Sequence, residues 1–97
     1  MRPSEILKNN QEQIRSIFKK YPLINNPKIF GSVARGEDTE GSDIDFLIQT
    51  QQGVTFIMLG SLKSELKLIF SNDIDIVTEN QLPAHIKKEV LAEAVAL

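Results

Sequence analysis

The sequence contains no cysteine. That excludes disulfides, zinc–thiolate sites and cysteine nucleophiles. Histidine is nearly as scarce: His85 is the only one. It falls near the start of a predicted last helix, where an exposed, chemically idle side chain is expected. A strong charge imbalance is also missing, because 11 basic against 13 acidic residues leave a net charge of -2. Bulk charge therefore draws the molecule neither to a nucleic-acid backbone nor to an anionic membrane, and no direct nucleic-acid binding is expected. No apolar run approaches the roughly 20 residues of a membrane span. The opening MRPSEILKNNQEQ lacks the apolar core of about 7–15 residues that marks a signal peptide. Together these absences predict a soluble, cytoplasmic chain with no membrane role. Two phosphate-binding signatures are absent as well. There is no Gly-Lys-Ser/Thr ending of a Walker loop and no Gly-x-Gly-x-x-Gly fingerprint.

What remains is an ordinary globular composition, 41% hydrophobic and 25% charged over 97 residues. This length predicts one domain, residues 1–97, with a modest core. Residues 4–21 read as a first helix capped by Ser4, with Ile6, Leu7, Ile14, Ile17, Phe18 and Tyr21 on one face. The Asn25–Pro27 stretch reads as a turn, and residues 28–30 as a short strand. Gly31 to Gly36 predicts a turn that opens a single helical turn. A strand is expected over 43–49, a second long helix over 54–70, and a third strand over 72–78. A final helix is expected from Pro83 to about residue 94, with the apolar part of IKKEVLAEAVAL facing the core. Alternating helices and strands predict an α/β layer fold, a small mixed sheet of three or four strands packed with helices.

The segment GSVARGEDTEGSDIDFLI, Gly31 to Ile48, carries the chemistry. Residues two apart on a strand share a face and lie about 6.6 Å apart at a rise of about 3.3 Å per residue. Asp43 and Asp45 therefore project side by side, while Ile44 and Phe46 turn to the core. Two carboxylates so placed can share divalent ions, which sit about 3.5–4 Å apart in two-metal sites. All-oxygen ligands favour Mg²⁺ or Mn²⁺. An Asp-x-Asp alone also fits a solvated strand edge or a turn, so the residues before it matter. Gly31 follows a strand, and the Gly-Ser turn exposes backbone N–H groups that suit an anion, with the Ser32 hydroxyl as a further donor. Arg35 fits either of two roles: a planar cation for a phosphate, or a partner for a local acid that holds the loop. A third carboxylate to activate an attacking hydroxyl is available on the third strand. Asp75 lies between Ile74 and Ile76, inside the apolar run. Asp73 reads as a turn or strand-start residue. The pattern predicts a nucleoside triphosphate held as its magnesium complex.

These residues resemble the signature of the DNA polymerase β-type nucleotidyltransferase superfamily, and most closely its minimal nucleotidyltransferases. Gly31, Ser32, Ala34, Arg35, Gly36, Ser42, Asp43 and Asp45 all match that pattern, and DIDIVT resembles the motif of its third strand. The resemblance implies a polymerase-β-like fold and transfer of a nucleoside monophosphate, usually AMP from ATP, with release of pyrophosphate. It implies that Asp43, Asp45 and Asp75 are both catalytic and metal-binding, ligating two Mg²⁺ ions. It places Gly31, Ser32, Arg35 and Ser42 at the nucleotide. It further implies an antitoxin that adenylylates a tyrosine hydroxyl of a HEPN-domain toxin. Three alternatives stay open: neutralisation of the toxin by contact alone, a small-molecule nucleotidyltransferase, and a metal-stabilised domain without catalysis. Any apolar surface left uncovered near the C-terminus would suit an oligomer or the toxin.

Overall fold

A computed structural model describes Met1–Leu97. Five helices and four strands follow one another along the chain: α1 (Pro3–Asn9), α2 (Gln11–Lys19), β1 (Ile24–Phe30), α3 (Ser32–Arg35), β2 (Ile44–Thr50), α4 (Phe56–Lys67), β3 (Ile74–Thr78), α5 (Ala84–Glu93) and β4 (Val95–Ala96). The sheet order is β3-β2-β1-β4. β2 runs parallel to β3 and antiparallel to β1, and β4 is antiparallel to β1. This is the expected mixed sheet, with the fourth strand present.

Alternation along β2 divides the molecule. Ile44, Phe46 and Ile48 are fully buried and join Ile74 of β3, Ile14 and Phe18 of α2, and Leu62 and Leu66 of α4 in one core. The rings of Phe18 and Phe70 pack on Phe46 from two sides, at centroid distances of 5.8 and 6.3 Å. Asp45 and Leu47 point to the other face of the sheet.

Several boundaries differ from the sequence reading. The first helix is broken at Asn10, whose side-chain amide donates to the Ile6 carbonyl at 2.8 Å. That bond competes with the helical ladder, as asparagine commonly does. The first helix begins at Pro3, so Ser4 sits inside its first turn and is not the cap. The Ser4 N–H donates instead to Asp38 Oδ2 at 2.8 Å. β1 begins at Ile24 and runs through the predicted Asn25–Pro27 turn, because a register shift between Asn25 and Lys28 accommodates the proline. Thr55 caps α4, accepting from the Met58 N–H at 3.2 Å, so this helix is shorter at both ends than expected. α5 buries none of its residues fully. The apolar C-terminal stretch is therefore not a core helix face. It ends in the edge strand β4, and Leu97 packs against the core.

Candidate active site

Register brings the acidic residues together. Asp45 lies opposite Asp75 on the parallel neighbour β3, and opposite Phe30 on β1. Gly31 directly follows Phe30, so the Gly-Ser turn stands beside Asp45. The contact is close: a Cβ at Gly31 would collide with Asp45 Oδ2 and lie 3.3 Å from its Cγ. Gly31 also adopts φ 78°, ψ -155°, a conformation essentially confined to glycine. The tight turn and the carboxylate thus demand the same residue.

The Asp45 carboxyl is half-buried and pushed above the ordinary aspartate value. Burial is the larger cause; the negative charges of Asp75 and Asp43, and a hydrogen bond with Asp75, add to it. Asp75 on β3 and Asp43, the residue just before β2, therefore both act on Asp45. Asp73 turns outward, 88% exposed, with Lys67 Nζ 3.8 Å away. No group of three or more acidic or histidine side chains is placed so that it could hold a metal ion. The crowding still fits a cation, because like charges raise each other's cost until a positive charge enters.

Of the other predicted residues, Ser32 opens α3 directly after Gly31, and a helix start leaves its first N–H groups without helical partners. Arg35 is paired with two acids. Its Nε donates to Glu37 and its Nη1 to Glu93, each at 3.0 Å. Ser42 closes its own loop: its Oγ accepts from the Thr39 N–H at 2.8 Å.

Three residues that the sequence reading did not single out support the site. Asn72 is buried and donates to the carbonyls of Glu40 and Ser42, at 2.6 and 2.9 Å. It holds the loop before β2 to the turn before β3. Asp38 is 3% exposed and ties that same loop to α1. Glu93 accepts from the Gly31 N–H at 3.0 Å as well as from Arg35. The local signals were weak, since each is a single polar residue in a polar or helical stretch.

The sequence profile of the family described as Polymerase beta, Nucleotidyltransferase matches residues 12–97. The chain belongs to this nucleotidyltransferase family. Among its relatives is "Putative protein adenylyltransferase MJ0435" of Methanocaldococcus jannaschii, 38% identical over 72 residues, which cover 74% of this chain and 77% of the relative. Protein adenylyltransferase MntA of Thermococcus cleftensis is 33% identical over 67 residues, 69% of this chain and 68% of that protein. The solved "Structure of putative minimal nucleotidyltransferase" superposes with a TM-score of 0.84 at 34% identity, covering 97% of this chain and 95% of that one. A crystal structure of a toxin–antitoxin with AMP-PNP shares the fold, with a TM-score of 0.75 at 20% identity over 90% of this chain and 71% of that one. This nucleotidyltransferase has no helix long and apolar enough to cross a membrane.

Proposed function

We propose that residues 1–97 act as one minimal nucleotidyltransferase domain, a Mg²⁺-dependent antitoxin. It transfers AMP from ATP to a tyrosine hydroxyl of a HEPN-domain toxin. The observation that carries this reading is the crowding of Asp43 and Asp75 upon Asp45, against the Gly31 turn. The names of the relatives, protein adenylyltransferases, support the reaction. The toxin–antitoxin complex with AMP-PNP supports the setting and the nucleotide.

Asp43, Asp45 and Asp75 would hold Mg²⁺, which when bound supplies positive charge to the attacking and leaving oxygens. The Gly31–Ser32 turn orients the triphosphate through backbone N–H groups and the Ser32 hydroxyl. Arg35, already shared between Glu37 and Glu93, shapes this turn more than it neutralises phosphate. Asp75 helps draw the proton from the incoming hydroxyl. The hydroxyl oxygen bonds to the α-phosphorus, the bond from that phosphorus to the bridging oxygen breaks, and pyrophosphate leaves. The protein's contribution is alignment of this in-line displacement and placement of charge.

A second reading, an antitoxin acting by contact, draws support from Phe56 and Ile57, which stand 90% and 82% exposed at the start of α4. One experiment separates the two. The chain is mixed with a HEPN-domain partner, ATP and Mg²⁺, and the partner is weighed. A gain of one or more AMP masses, absent with Asp45→Asn, supports transfer. An unchanged mass with the toxin still neutralised supports contact. Binding is checked separately: Mg-ATP at about 100 times its dissociation constant should stabilise the fold by about 2.7 kcal/mol. No thermal shift at millimolar Mg-ATP refutes the nucleotide site.

A further inference from the structure

The C-terminal strand β4 is two residues long and exposed on both, so it adds little to the core. Its register has a more specific consequence. Val95 lies opposite Ile29 and Ala96 opposite Lys28, antiparallel. Two residues before this pairing, Glu93 ends α5 and its side chain reaches Gly31. There Glu93 Oε1 accepts from the Gly31 N–H and Oε2 from Arg35 Nη1, both at 3.0 Å. The same contacts hold the Glu93 carboxyl below the usual glutamate range. Leu97 anchors the segment, packing on the core and donating its N–H to the Pro27 carbonyl at 3.3 Å.

Gly31 is the N-cap of α3. In a capping box, the third helical residue is a Glu or Gln that reaches back to the N-cap N–H. Here that position is Ala34, which has no side chain to do so. Glu93 supplies the missing carboxylate from a distant part of the chain, and also holds Arg35, the last residue of α3. Both ends of a four-residue helix are thereby fixed by one side chain. A helix this short does not hold its shape alone, since nucleation is unfavourable.

We propose that Glu93 is a positioning residue for nucleotide binding: the last residue of α5, held in place by the β4 pairing that follows it, it clamps the Gly31–Arg35 turn in the shape that receives the triphosphate. This rests on the nucleotide reading given above. Glu93 itself need not touch the nucleotide. By taking up the Gly31 N–H and the Arg35 charge, it sets the direction of the next N–H groups and of the Ser32 hydroxyl.

The test compares Glu93→Ala, Glu93→Gln and, as a control on the same helix, the exposed Glu89→Ala. Mg-ATP and inorganic tripolyphosphate binding are measured by calorimetry, with the melting temperature of each variant. Glu93→Ala is expected to weaken both ligands by about tenfold, the scale of a lost hydrogen-bond pair to a charged group. Its melting temperature should fall by only a few degrees. The Glu93→Gln amide oxygen still accepts from Gly31, so it should recover to within about threefold of the parent. Glu89→Ala should match the parent. Unchanged affinity in Glu93→Ala overturns the proposal. So does an unfolded Glu93→Ala, or a loss that tracks melting temperature equally in Ala and Gln, since either makes Glu93 a fold residue only. A parent protein that binds neither ligand overturns the nucleotide reading itself, and this inference with it. That result is distinct, because it appears before any variant is made.

Discussion

Replacing Gly31 by alanine perturbs backbone and active site together, and Gly36 provides the internal control. Both glycines have positive φ, 78° at Gly31 and 71° at Gly36. Gly36 is in the left-handed helical region with ψ 20°, and nothing lies within 4 Å of a Cβ placed there. Gly36→Ala should therefore cost only the left-handed penalty, about 1 kcal/mol. Gly31 combines φ 78° with ψ -155°, where a side chain costs about 1–3 kcal/mol. Its new Cβ also meets the Asp45 carboxylate. The clash is relieved by rotating that carboxylate away, so the strain converts into a displaced catalytic group. With about 4–8 °C per kcal/mol for a domain of this size, Gly31→Ala should melt about 8–16 °C lower at the middle of its range, about 2 kcal/mol, and Gly36→Ala about 4–8 °C lower. A domain stable by about 5–10 kcal/mol survives both. Activity should separate them far more than stability does. A displacement of about 1 Å at a reacting group costs about a hundredfold, so Gly31→Ala should lose AMP transfer at a temperature where it remains folded, while Gly36→Ala keeps most of it. Thermal unfolding by circular dichroism and a pyrophosphate-release assay provide the readouts. If the two variants lose activity to the same extent, the contact between Gly31 and Asp45 has no catalytic meaning.

Asp45→Asn should stabilise the ligand-free protein while abolishing transfer. Its carboxyl is pushed up by burial and then by Asp75 and Asp43, so its share of stability is present below about pH 4 and lost as pH rises through the higher folded value. Relief of repulsion between neighbouring strands is worth about 1 kcal/mol at a partly solvated site, and a melting temperature no higher than the parent's at pH 7 would contradict it. Asp38 has the opposite sign. Burial alone would raise it, but its hydrogen bonds from Ser4 outweigh that and hold it low. Its contribution is full above about pH 4 and lost as pH falls further, so Asp38→Asn should flatten the acid limb of a melting-temperature profile. Tyr21 is the only tyrosine, and its hydroxyl donates to Glu65, which pushes it up to about 12. Absorbance of the phenolate at alkaline pH should titrate near that value, and a midpoint near 10 would remove the tether between the turn after α2 and α4. Phe46→Ala, at the centre of the core, should cost about 3–5 kcal/mol and leave little folded protein in chemical denaturation.

The helix–strand order, the mixed sheet and the buried alternation of Ile44 and Phe46 against Asp45 were legible because the apolar period is a property of neighbouring residues. So was the nearness of Gly31 to Asp45, which lie within fifteen residues of one another. The break at Asn10 and the extended β1 were not, because a side-chain amide and a register shift decided them against the local pattern. The nearness of Asp75 to Asp45 is a matter of register: the two meet only because β2 and β3 pair in parallel at that offset. Glu93 was the furthest from view. It stands 62 residues from Gly31, in a stretch whose apolar spacing reads as a core helix. Composition and spacing along the chain determined which residue types were available for phosphate and metal chemistry. Which carboxylate holds the turn, and which arginine contact forms, depended on distances through space, and those exist only once the strands have paired.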